Sequence, residues 1–123
     1  MSLFVDQTKL LEIKFYVSLD KDGKQIVYGS LEKATEGDIV QGSEYSMSFK
    51  RPSYVDNVKI LNSALKVING GEIQVNPVLM RYERFCTLLV KWSLTDEVNK
   101  ENIDKLDPDI ANFVIAELEK VLT

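Results

Sequence analysis

Hydrophobic periodicity changes at Pro52, and that change limits the fold more than any other feature of the chain. Before Pro52 apolar residues recur at every second position; after it they recur at every third or fourth. Leu11, Ile13, Phe15, Val17 and Leu19 share one face of a strand over residues 9–19, with Glu12, Lys14, Tyr16 and Ser18 on the other. Lys21-Asp22-Gly23-Lys24 predicts a tight hairpin turn, because Asp-Gly tolerates the positive φ angles such turns demand. Residues 25–31 then return as the partner strand, and residues 33–42 carry the loop signals Gly37-Asp38 and Gln41-Gly42. Residues 44–50 alternate again, Tyr45, Met47 and Phe49 against Ser46, Ser48 and Lys50, which predicts a third strand with a serine-lined solvent face. Arg51-Pro52 ends it, since proline has no amide to give a ladder.

Beyond Pro52 the pattern is helical. Ser53-Tyr54-Val55-Asp56 is a capping box opening a helix, with Tyr54, Val58, Leu61, Leu65 and Ile68 as its main stripe and Ile60, Ala64 and Val67 as a second stripe beside it. Gly70-Gly71 is placed to stop that helix in a left-handed conformation. Asn76 and Pro77 suit the N-cap and first position of a central helix running to Trp92. On it Val78, Leu79, Tyr82, Phe85, Cys86, Leu89 and Trp92 fall to one side, an arc of about 160° with Val90, wide enough for packing on two sides. Asn99 is positioned to cap a short helix that buries Ile103 and Leu106, and Asp107-Pro108-Asp109 opens a last helix with acids at its positive end. The pattern predicts one α+β domain over residues 1–123, strand-rich at 9–51 and helical at 53–122: an N-terminal antiparallel hairpin or three-stranded sheet followed by three to four helices.

Composition narrows the chemistry. The 123 residues include no histidine, which removes the commonest general base and metal ligand. One cysteine makes neither an internal disulfide nor a zinc site, and Cys86 on an apolar helical face reads as core. A framework without disulfides suits a reducing cytoplasm. The net charge of −4 argues against a nucleic-acid or anionic-membrane partner, and no apolar run reaches the length of a membrane span. A calcium loop at Asp20, Asp22 and Gly23 lacks its other oxygen ligands. Gly70-Gly71 lacks the lysine of a phosphate loop, and the serines lack a base. A hydrolase or magnesium nuclease built on carboxylates alone stays open as the enzymatic alternative. No cofactor or metal site is expected.

Apolar surface beyond the needs of one core points instead to a protein that binds protein. Leu88 falls among charges on the central helix, Phe113 falls between Glu117 and Lys120, and Ile60 and Val67 form the second stripe of the preceding helix. Arg81, Arg84 and Lys91 make a small basic stripe, with too few cations and no aromatic platform for nucleic acid. Ile60, Val67, Arg81, Arg84, Leu88 and Phe113 are therefore the candidate partner-binding residues. Residues 96–120 hold eight acids and three lysines, a balance of −5, which reads as a solvated face or as an acidic surface for a basic partner.

Two stretches carry a resemblance. Ser46-Met47-Ser48-Phe49-Lys50-Arg51-Pro52-Ser53, a strand followed by Phe-x-Arg-Pro-Ser and a helix, resembles the entry seen in small tail-module proteins of tailed phages. The run from Arg84 through Trp92, Asp96 and Glu101-Asn102-Ile103 to Ala111 is similar to the same group. The best-fitting members are tail assembly chaperones of siphophages and prophages. The turn after Trp92 lacks the glycine often present there, and the hairpin over residues 11–31 has no counterpart in the match. The resemblance implies a non-enzymatic, self-associating protein made in the cytoplasm of an infected or lysogenic bacterium. Such a protein coats the tape measure protein, recruits tail tube subunits and is absent from the finished virion. A structural tail completion or head–tail connector protein shares the composition and is the alternative.

Overall fold

The computed structural model describes residues 3–19, 22–29, 42–67 and 70–122. Strand β1 (Leu11–Leu19) follows the predicted alternation through its first half, with Ile13 and Phe15 buried and Glu12 and Lys14 exposed, and departs from it at the end, where Ser18 is buried and Leu19 is exposed. Gly23, at φ +82°, lies in the turn to β2 (Gln25–Tyr28), which pairs antiparallel with β1 from Tyr16↔Tyr28 to Leu19↔Gln25. The predicted second strand extended to Leu31; β2 ends at Tyr28, and Asp20, Leu31 and the loop over residues 33–41 lie outside the described residues. Strand β3 (Gly42–Phe49) lies on the other side of β1, antiparallel from Leu11↔Phe49 to Ser18↔Gly42, with Met47 and Phe49 fully buried. The serine face of β3 is not simply solvated. Ser48 is buried, and its register neighbours Glu12 and Lys91 carry longer side chains on either side.

Helix α1 (Tyr54–Ala64) begins with the expected capping box. The Asp56 amide donates to Ser53 Oγ at 3.3 Å and the Ser53 amide to Asp56 Oδ2 at 3.0 Å. The predicted helix ran to Ile68, but α1 stops at Ala64 and the chain enters a hairpin of β4 (Leu65–Val67) and β5 (Ile73–Val75). Gly70 (φ +93°) and Gly71 (φ +82°) therefore turn a hairpin instead of capping a helix. The physical reason lies in the flanks. Val67, Ile73 and Val75 are β-branched, a class that fits a pleated ladder better than a helix. Asn76 then joins two elements. Its amide donates to the Ala64 carbonyl at 2.9 Å, and its Oδ1 accepts from the Val78 and Leu79 amides to cap α2 (Pro77–Leu88).

The predicted central helix was to reach Trp92, but α2 ends at Leu88 and the chain continues as β6 (Leu89–Trp92). Strand β6 pairs antiparallel with β3, giving a four-stranded sheet in the order β2-β1-β3-β6. Beyond it, Asn99 caps α3 (Lys100–Asp104) through the Asn102 amide at 2.8 Å, and the Asp109 amide donates to Asp107 Oδ1 at the start of α4 (Pro108–Leu122). The architecture is α+β, strands first and helices after, with β6 returning to the sheet from the helical half. One buried cluster unites the elements: Phe15, Met47 and Phe49 from the sheet meet Ile60 of α1, Phe85 and Leu88 of α2, Ile103 of α3 and Leu118 of α4. Phe49 and Phe85 meet edge to face with centroids 5.4 Å apart, the arrangement their ring quadrupoles favour.

Candidate interaction surface

Helix α1 carries two apolar stripes, and a helix packed on one side can bury only one of them. The structure buries the lesser stripe: Ile60 is 1% exposed and Ala64 is fully enclosed. The main stripe faces outward, with Tyr54 87%, Val58 44% and Leu61 42% exposed, and Val55 beside it is exposed as well. Leu65 extends it past the end of the helix. Leu65 pairs with Val75 across the hairpin, and Val75 and Ile73 are both exposed. Apolar surface thus runs from the first turn of α1 onto the β4–β5 hairpin. Gln7 holds the chain's N-terminal segment against the start of α1, its Nε2 donating to Asp56 Oδ2 at 2.7 Å and to the Arg51 carbonyl at 3.0 Å.

The structure does not bring the six residues nominated from sequence together as an exposed face. Ile60 and Leu88 belong to the core, Leu88 with no exposure. Leu88 looked misplaced among charges because the wheel was drawn for a helix reaching Trp92; with the helix ended, Leu88 is the last inward residue one turn after Phe85. Arg81 and Arg84 face α4, where both reach Glu119: Arg81 Nε lies 2.8 Å and Arg84 Nη1 3.5 Å from Glu119 Oε1. Phe113 is half-buried, and a Cβ placed on Gly29 would stand 3.4 Å from its ring. The side chain of Val67 lies outside the described residues. The outward stripe was legible in the spacing of Tyr54, Val58, Leu61 and Leu65, but periodicity names a stripe without saying which way it faces.

Tyr82 donates its hydroxyl to Asp104, a bond that raises the phenol above its ordinary range, and Lys100 lies over the Tyr82 ring, 5.9 Å from its centroid. Cys86 is half-buried, and burial pushes its thiol up, away from the reactive thiolate. On the acidic helices Glu101 pairs with Lys105 and Glu117 with Lys120. Among the described residues no three acidic or cysteine side chains gather as metal ligands, and no helix is long and apolar enough to cross a membrane. No family model, curated protein or solved structure matches the chain.

Proposed function

We propose that this chain is a non-enzymatic binding protein that holds an amphipathic helix of a protein client along the exposed stripe of α1. The observation that carries the proposal is the outward stripe Tyr54, Val58, Leu61 and Leu65. Within the helix Tyr54, Val58 and Leu61 are spaced by four and three residues, as when a helix presents a seam to another helix, and Leu65 continues the surface on β4. A contiguous apolar surface of this kind, unlike scattered exposed residues, marks an interaction site. Together with the resemblance at Ser46–Ser53 and Arg84–Ala111, the stripe supports a tail assembly chaperone of a phage or prophage. In that role the client is the long tape measure protein, tail tube subunits are recruited to it, and copies of the chain associate along the client in the bacterial cytoplasm.

The test is affinity capture of the tagged chain from cells in which its phage or prophage is induced, with bound proteins identified by mass spectrometry. A very long helix-rich protein captured with tail tube subunits, and lost with Leu61→Asp, is the expected result. Recovery of the chain inside purified particles moves it to the tail completion or connector class. Capture that Leu61→Asp leaves unchanged overturns the assignment of the surface.

A further inference from the structure

A cleft of about 210 Å³ opens between α2, α3 and α4, and none of the α1 stripe residues lines it. Its floor is apolar: Phe85, Ile103 and Ile115 are buried beneath it, and Val78 and Ala111 form its walls. Two polar bridges start from its lining residues. Arg81 reaches Glu119 of α4, which Arg84 of α2 shares, and Tyr82 donates to Asp104 of α3 with Lys100 over its ring. These bridging groups comprise three cations and two carboxylates, an excess of positive charge in a chain whose net charge is −4. The excess is at the Arg81 bridge, where one carboxylate serves two guanidiniums. Arg81 itself lines the cleft, and its side chain is half exposed.

We propose that this cleft binds an amphiphilic monocarboxylate, its hydrocarbon tail on the Phe85–Ile103–Ile115 floor and its carboxylate on Arg81. The volume sets the size of the tail. A cavity of about 150 Å³ takes benzene, so 210 Å³ takes a chain on the order of six to ten carbons. The charge sets the headgroup. Glu119 takes one side of the Arg81 guanidinium, with Nε at 2.8 Å and Nη2 donating at 3.5 Å, and the other side of the fork donates to a second carboxylate, in the paired geometry that arginine offers. The carboxylate of Asp104, bonded to the lining residue Tyr82, repels the anionic head from that side of the cleft.

Sodium octanoate, added to the isotopically labelled full chain and followed by amide NMR shifts below its micelle concentration, is the probe. Saturable shifts at Val78, Tyr82, Ile103 and Ala111 are expected. Octanol, equal in tail and uncharged, should bind about threefold more weakly, the usual worth of an ion pair to a half-exposed arginine. Hexanoate should bind about tenfold more weakly, for two methylenes fewer. Arg81→Gln should bring octanoate to the level of octanol, and Ala111→Phe should fill the cleft and remove both. Octanol binding as well as octanoate, an Arg81→Gln variant that keeps the preference, or no saturable shift at millimolar octanoate each overturns the proposal. The Arg81→Gln comparison stands even if Ala111→Phe does not fold, because Arg81 lies at the rim and its own fold is checked in the same spectra.

Discussion

The backbone amide of Lys50 donates to the carbonyl of Leu88 across 2.9 Å, and that bond marks where α2 gives way to β6. In a continuing helix the Leu88 carbonyl would accept from Trp92. Here Trp92 pairs with Met47 in the sheet instead, and its indole Nε1 donates to the Asp96 carbonyl at 2.6 Å. The same junction fixes Leu88 as core. Leu88→Ala is expected to lower unfolding free energy by about 2–5 kcal/mol, the range for truncating an enclosed leucine, and Leu88→Asp to leave no cooperative transition. Chemical denaturation of the two variants checks this. A near-wild-type Leu88→Asp would return the residue to the surface.

Legibility followed the range of the interaction. Ser53 with Asp56, Asn76 with Pro77, Asn99 and the Asp22-Gly23 turn were all readable, because each makes its decisive bond or angle within a few residues of itself. The ends of α1 and α2 were not. Ala64 hands its carbonyl to Asn76 and Leu88 to Lys50, partners that local periodicity does not see. The two stripes hold only within α1, since Leu65 and Val67 pass into β4, and apolar pattern alone gave no reason to prefer Ile60 over Val58 as the inward residue. That choice is made by Phe49, Phe85 and the rest of the cluster Ile60 joins.

Substitutions on the outward stripe should separate binding from stability. Val58→Asp and Leu61→Asp replace exposed side chains, so each is expected to change unfolding free energy by no more than about 0.5 kcal/mol while reducing client capture severalfold. Parallel thermal melts and capture assays make the comparison. A collapse in stability at either position would mean that the stripe is packed.

Asp56 should set part of the acid limb of stability. Its carboxyl is held below the ordinary carboxylate range chiefly because the Ser53 amide donates to it, with Gln7 and Lys50 adding to the effect and burial opposing it. The unfolded chain therefore takes up this proton at higher pH than the folded chain does. The contribution is complete above about pH 4, the ordinary value, and is lost as pH falls toward the lowered folded value. Asp56→Asn should be less stable at neutral pH and should show a flatter decline below about pH 4. Denaturation midpoints measured from pH 7 to pH 2.5 would show the two curves converging; parallel curves would remove Asp56 from the acid response.

Gly70 and Gly71 test the hairpin. Both have positive φ, and a Cβ at either would meet nothing within 4 Å, so any cost of alanine is backbone strain alone. Each Gly→Ala change is expected to destabilise the hairpin by about 1 kcal/mol. Hydrogen exchange should quicken within β4 and β5 and stay unchanged in α4. Uniform quickening would tie the hairpin to global unfolding.

The sheet order β2-β1-β3-β6 also sets a timetable for synthesis. Strands β1, β2 and β3 leave the ribosome early, but the outer edge of β3 waits for β6, about forty residues later. At roughly 5–20 residues per second that is an interval of about 2–8 s, during which a row of unpaired amides and carbonyls is open to any other strand. A nascent or prematurely terminated chain ending before Leu89 carries that bare edge for as long as it exists, so the last strand added covers the Met47–Phe49 edge of β3 and becomes the sheet's edge in its place.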